Sequence, residues 1–196
     1  STHANMWRMV GDVWDLWGDV EHLMDVADSW YPYIKPGTWP DCDMIPLGHL
    51  AIRGERGEDR MTRLTVPEQY SLMNLFLILR SPLMFGGDLP TMDAATLRLL
   101  TNEAALEAHR YGTGVRPLFH EEGRLAVLSD DSRGKGCWLA LFNSSEEEQT
   151  IEANLADAGI RCRKAVDVWT GESVPVKDGR ISVALAPHAS VMVRVR

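Results

Sequence analysis

The chain has 196 residues, 45% of them apolar and 24% charged, and a formal net charge of −8 at pH 7. That length holds one or two domains, and the balance is that of an ordinary folded chain. The acidic surplus, with no long basic run, argues against nucleic acid and anionic membrane surfaces as partners, and no apolar run approaches the ~20 residues that cross a bilayer.

Ser1-Thr2-His3-Ala4-Asn5 runs straight into a tryptophan-rich segment with no initiator Met, which reads as entry in mid-fold with any targeting signal upstream. Met6 to Val10 is short and apolar, as expected of a buried strand. Val13, Leu16, Trp17, Val20, Leu23, Met24, Ala27 and Trp30 then recur at spacings of three and four, predicting one long helix that ends at Pro32 and Pro36-Gly37. Thr65 and Glu68 have capping-box spacing and open a second helix, apolar on nearly all sides from Leu72 to Leu79 and so expected to be well buried. Pro82 to Asp88 reads as a short strand ending in a glycine turn, and Asp93 caps a helical run through Leu97, Leu100 and Leu106. Strand, helix, loop, helix, strand, helix is the order of an α/β barrel.

The pattern changes near Tyr111-Gly112-Thr113-Gly114. Leu125 to Leu128, Cys137 to Phe142, Gln149 to Ala153, Lys164 to Trp169, Val174 to Lys177, Arg180 to Leu185 and Ser190 to Val195 are strand candidates. Asp178-Gly179 is a hairpin signal between two of them, and the regular spacing suggests an antiparallel β-sandwich. The expected fold class is therefore α/β plus all-β: residues 1–112 as the C-terminal part of a (β/α)8 barrel, residues 113–196 as an antiparallel β-sandwich. A barrel closes with about eight strands, more than ~110 residues can supply. The missing half is expected from a preceding segment, a second chain or a partner.

Two stretches carry candidate chemistry. In extended chain Arg8, Val10 and Asp12 share a face, with Asp12 where a strand gives way to a helix, the catalytic rim of a barrel. Asp12 can equally be an ordinary helix N-cap, with Asp15 in an acidic first turn. Trp39-Pro40-Asp41-Cys42-Asp43-Met44 crowds two carboxylates, an aromatic ring and a thioether into one loop. Such groups hold sugars, by accepting hydroxyl hydrogen bonds and by stacking on C–H faces; a polar turn with Trp39 packed inward is the plain alternative. Trp14, Trp17 and Trp30 read as core, His188 as a loop residue, Glu146-Glu147-Glu148 as a solvated turn, and Gly86-Gly87 as a strand-end turn rather than a phosphate cradle. The six histidines and Cys42, Cys137 and Cys162 show no metal-ligand spacing. Their spacing settles neither the disulfide status of the cysteines nor the compartment.

Met6-Trp7-Arg8-Met9-Val10-Gly11-Asp12-Val13-Trp14-Asp15-Leu16-Trp17 resembles the segment around the acid/base aspartate of glycoside hydrolase family 27, with Trp7, Arg8, Asp12 and Trp17 matching. Trp39 to Met44 is similar to that family's Trp-Asn-Asp-Pro-Asp-Met loop, with Pro40 and Cys42 as departures. Pro82 to Leu89 and Leu99 to Glu103 resemble the last barrel strand and the helix after it; Val168 to Glu172 and Ala186 to Ser190 resemble the C-terminal β-domain. The resemblance implies retaining hydrolysis of terminal α-galactosides, with α-N-acetylgalactosaminidase or β-L-arabinopyranosidase-like activity, or a non-catalytic carbohydrate-binding fragment, as alternatives. It implies Asp12 as general acid/base, Arg8 and Asp43 on sugar hydroxyls, Met44 and Trp39 at the pocket, and neither a metal nor an organic cofactor. The family's nucleophile stands in a Lys-x-Asp context that nothing here matches, so it is expected upstream of Ser1. A secreted, periplasmic or lysosome-like setting follows from the resemblance alone.

Overall fold

Strand β1 (Met6–Arg8) opens the fold in a computed structural model that describes residues 3–196; Ser1 and Thr2, part of the mid-fold reading, lie outside the described residues. Helix α1 (Trp17–Trp30) follows only after an extended stretch. This corrects the expected start at Val13. Asp43 and Asp19 accept from the amides of Val13 and Trp14 at 2.7 and 2.8 Å, which holds residues 13–16 out of helical geometry. Val13 is still buried, so its apolar character reflects a packed loop rather than a helix face. The N-cap residue is Leu16, without a side-chain cap; Asp12 caps nothing and Asp15 is not in the first turn.

The segment read as a polar loop holds two short strands, β2 (Trp39–Asp41) and β3 (Met44–Ile45), broken at Cys42-Asp43. A hairpin of β4 (His49–Leu50) and β5 (Arg60–Met61), not foreseen from the sequence, precedes α2 (Val66–Leu79). Strand β6 (Met84–Phe85) comes next. The helical run after Asp93 breaks at Asn102 into α3 (Ala94–Thr101) and α4 (Glu103–Tyr111), because the Asn102 side chain caps a new helix. β1 pairs parallel with β2 and β3 parallel with β6, the pairing expected of consecutive barrel strands. Trp7 packs on Trp30 of α1, with ring centroids 5.5 Å apart, so Met6 and Arg8 face the opposite side by strand alternation. That side is open: Met6 and Met84 are 52% and 41% exposed.

The remainder is β7 (Gly112–Glu121), β8 (Arg124–Asp131), β9 (Cys137–Asn143), β10 (Gln149–Asn154), β11 (Ala165–Asp167), β12 (Ser173–Val174), β13 (Val176–Lys177), β14 (Arg180–Leu185) and β15 (Ser190–Val195). β7 escaped the sequence reading because its glycines, Pro117 and register irregularities blur the alternation. Pro175 splits the expected strand at 174–177 into β12 and β13, which join different sheets. Asp178 and Gly179, with φ of 52° and 76°, make the predicted hairpin turn. Six strands in the order β12-β11-β15-β9-β8-β7 face three in the order β10-β14-β13. Cys137, Leu139 and Leu141 of β9 pack toward the small sheet; Trp138, Ala140 and Phe142 pack toward the helices. With both faces of the large sheet covered, β9 is apolar throughout rather than alternating.

Helix α2 is buried on every side because it lies between α1, α4 and strands β9 and β15. The capping box is present: the Thr65 amide donates to Glu68 Oε2 at 2.7 Å. Glu68 Oε1 also meets His188 Nδ1 at 2.7 Å. His188, at φ 59°, stacks on Trp17 with centroids 4.2 Å apart. It thus joins α1, α2 and the sandwich, more than its reading as a loop residue implied. Asn74 adds a second tie, donating to Ser190 Oγ and accepting from Trp169 Nε1, both at 2.8 Å.

Burial pushes the Glu68 carboxyl up, but the Thr65 amide, His188 and the Thr65 hydroxyl outweigh it and hold it below its ordinary value. Its stabilisation is therefore full above the unfolded carboxylate value and is lost as pH falls through the folded one. Glu68→Gln is expected to cost about 1–2 kcal/mol at pH 7, near the lower end for hydrogen bonds to a charged group, and less at pH 3. Urea midpoints at the two pH values check this; a gap that widens on acidification contradicts it.

Candidate active site

The site gathers where β1 and β2 end. Arg8 pairs in register with Asp41, and the Met9 amide donates to the Asp41 carbonyl at 3.0 Å. The chain then turns sharply at Asp43, whose φ of 72° lies in the left-handed region, a conformation that costs a non-glycine residue about 1–3 kcal/mol. Three contacts hold it there: its amide donates to Asp41 Oδ1 at 2.9 Å, its Oδ2 accepts from the Val13 amide at 2.7 Å, and its Oδ1 pairs with Arg8 Nη2 at 2.9 Å. Strain over-determined in this way is characteristic of functional positions.

Arg8 connects the cluster. Its Nη2 donates to the Gly11 carbonyl at 2.9 Å and reaches Asp12 Oδ1 at 3.4 Å while pairing with Asp43. Arg8, Asp12 and Asp43, three of the residues singled out in the sequence, therefore meet around one guanidinium. Met44 follows Asp43 into β3 and packs against the neighbouring strand: a Cβ on Gly86 would lie 2.4 Å from its Sδ. Gly87 is equally constrained, since a Cβ there would lie 2.3 Å from the Leu47 carbonyl oxygen, so the glycine pair allows close strand packing. Trp39 stands apart from the carboxylates. It is in register with Met6, at the other end of the short strand pair, and its amide bonds the Asn5 carbonyl at 2.7 Å.

The sequence reading missed the other side of the cluster. Asp12 is 62% exposed, and its Oδ2 accepts from Arg56 Nη2 at 3.1 Å, a residue of the β4–β5 hairpin. Asp15 has a side chain with no solvent exposure. It takes hydrogen bonds from Arg60 at 2.5 and 3.0 Å, from the Arg63 side chain at 3.0 and 3.1 Å, and from the Arg63 amide at 3.0 Å. Burial pushes its carboxyl up, but the two guanidiniums and that amide outweigh burial and hold it well below the usual carboxylate range. Asp15 thus bolts the loop carrying Asp12 to the hairpin. The only sequence signal was the density of glycine and alternating charge from Arg53 to Arg63, which reads equally well as a solvated turn.

Residues 1–110 match a family model described as alpha galactosidase A, and residues 122–195 match the alpha galactosidase C-terminal beta sandwich domain. The chain belongs to the alpha-galactosidase family. Its α/β part is accordingly a portion of the alpha-galactosidase barrel, followed by the family's C-terminal β-sandwich. Alpha-galactosidase 2 of Arabidopsis thaliana is 27% identical over 193 residues, covering 96% of this chain and 46% of that protein. A family 27 β-L-arabinopyranosidase from Geobacillus stearothermophilus is 40% identical with a TM-score of 0.92, over 98% of this chain and 45% of that one. A candidate α-N-acetylgalactosaminidase of Bacillus halodurans is 35% identical with a TM-score of 0.87, over 95% and 46%. The chain spans about half the length of each of these three relatives.

Among the described residues no group of three or more His, Cys, Asp or Glu could hold a metal ion, and no helix is long and apolar enough to cross a membrane. Cys42, Cys137 and Cys162 are free thiols. Burial pushes Cys42 and Cys137 each up to about 12, which leaves them poor nucleophiles at neutral pH.

Proposed function

We propose that this chain carries the proton-transferring part of a retaining glycoside hydrolase that releases terminal α-linked galactose. Asp12 is the general acid/base, Arg8 and Asp43 bind sugar hydroxyls, and Met44 and Trp39 line the pocket. The observation that carries the reading is the single guanidinium of Arg8 against both Asp12 and Asp43, at 3.4 and 2.9 Å. One carboxylate so held presents acceptors to a sugar, and the other stays exposed enough to reach a glycosidic oxygen. Retention requires a second carboxyl group about 5–5.5 Å from the acid to attack the anomeric carbon. We assign that nucleophile, and the strands that cover the open face around Met6 and Met84, to barrel sequence outside residues 1–112. Residues 113–196 form the accompanying sandwich.

The 40% identity to a β-L-arabinopyranosidase favours a second reading. β-L-Arabinopyranose has the ring stereochemistry of α-D-galactopyranose without the C6 hydroxymethyl group, so the same acid and the same ring contacts serve both sugars.

Hydrolysis of aryl α-galactoside and aryl β-L-arabinopyranoside tests both readings. The isolated 196-residue chain is expected to turn over neither, because a proton donor without a nucleophile completes no retaining cycle. Joined to the nucleophile-bearing half of the barrel, it is expected to turn over the galactoside. A complete barrel that cleaves neither substrate would leave a non-catalytic carbohydrate-binding role, and turnover by the isolated chain at the full rate would place the nucleophile within it.

A further inference from the structure

We propose that the β4–β5 hairpin builds the subsite for the leaving group: the cleft between this hairpin and the turn after β6, floored by Trp14, receives the first sugar ring on the departing side of the scissile bond. The inference rests on the reading of Asp12 as general acid. A general acid donates to the oxygen that departs, so the surface beyond its side turned away from the bound sugar is the surface the leaving group meets. Asp12 has two sides here. Oδ1 faces Arg8, which holds Asp43 and thus the bound sugar, whereas Oδ2 faces Arg56 of the hairpin.

Beside that pair lies a cleft of about 330 Å³, lined among others by Trp14, Ile52, Arg53, Glu55, Gly87 and Asp88. It is continuous with the acid through Trp14, two residues along the same loop, and with the proposed pocket through Gly86, which packs on Met44. This is the size of a small-ligand site. Its lining suits a pyranose ring: an indole face for the C–H side, two carboxylates to accept hydroxyl hydrogens, and one guanidinium to donate. Trp14 is thereby separated from Trp17 and Trp30, which pack against the helical core.

The cleft is also rigidly held. Asp15 fixes the foot of the hairpin through Arg60 and Arg63. His49 pairs with Asp59 within the hairpin and meets Thr91 Oγ1 at 2.7 Å, while Thr91 donates to Asp88 at 2.6 Å. The two walls are therefore linked to each other rather than free to drift, as a preorganised subsite requires.

The test compares melibiose, whose leaving group is a glucose ring, with α-galactosyl fluoride, whose leaving group fills no subsite, in the protein with a complete barrel. Trp14→Ala and Arg53→Ala are expected to lower the melibiose-to-fluoride ratio of kcat/KM by about tenfold or more, the scale of lost pocket contacts. Arg53 is exposed, so its variant keeps the fold even where Trp14→Ala loosens the loop. An unchanged ratio in Arg53→Ala and in a folded Trp14→Ala overturns the proposal. If the parent protein hydrolyses neither compound, the α-galactosidase reading fails instead. Saturation-transfer NMR with free glucose then decides the cleft separately: a signal in the parent that Trp14→Ala abolishes upholds it, and no signal in the parent overturns it.

Discussion

In the protein with a complete barrel, Asp12→Asn is expected to lower kcat on a poor leaving group such as methyl α-galactoside by about 10²–10⁴-fold, the range of general acid catalysis. The amide keeps the size of the carboxyl and can accept from one of the two arginines, but it turns its N–H hydrogens toward the other and has no acidic proton to give. An activated substrate such as galactosyl fluoride needs little protonation of its leaving group. Its glycosylation step should be nearly spared, with the loss moving to the water-attack step that Asp12 assists as a base. Added azide, which needs no base, should then restore turnover. Stability separates this from a structural role. Asp12 is 62% exposed and both arginines it touches are exposed, so its ion pairs are worth about 0–1 kcal/mol. Since α1 begins five residues later, no helix cap is lost. Undiminished turnover of methyl galactoside would sink the assignment, as would a drop in rate matched by a comparable loss of folded protein.

The features of the fold that were legible in the sequence are those whose signals are local. The capping box at Thr65 and Glu68, the apolar run of α2, the Asp93 cap and the Asp178-Gly179 turn each depend on residues within a few positions, and each appears where expected. Arg8 and Asp43 were singled out in separate segments, but their meeting was not legible. It depends on parallel pairing of β1 with β2 across thirty-odd residues and on a left-handed turn at a non-glycine residue. Apolar periodicity misled at Val13, which is buried from a loop. Charge misled at Asp15, where an aspartate near a helix start suggests a dipole contact, yet the side chain is buried under arginines from 45 and 48 residues away. Arg56 lay in a stretch with no pattern beyond charge and glycine. Long-range ion pairs leave no periodic trace in a sequence.

Asp15→Asn is expected to be the most destabilising single polar substitution near the site. Breaking a fully buried ion pair by removing one partner costs about 3–5 kcal/mol; here about 2–4 is expected, because Arg63 is 51% exposed and can recover hydration. Arg60 cannot do so as readily, with a side chain only 17% exposed. The asparagine can accept from one guanidinium but turns its amide hydrogens toward the other, so the clamp becomes partly repulsive. The pH dependence follows from the depressed carboxyl. Its folded value lies below its unfolded one, so the charged form stabilises the parent fully above the unfolded carboxylate value and loses this as pH falls through the folded one. Asp15→Asn removes that dependence, and the gap between parent and variant in urea unfolding should therefore be widest near pH 7 and narrow on acidification. A gap below about 1 kcal/mol at pH 7, the level of a surface pair, would mean that Asp15 does not hold the hairpin. With the bolt gone, Arg56 loses its fixed place on Asp12. The variant should then also lose kcat/KM on melibiose more than on galactosyl fluoride, the same selectivity change expected when the cleft itself is altered. A loss shared equally by both substrates would confine the role of Asp15 to stability.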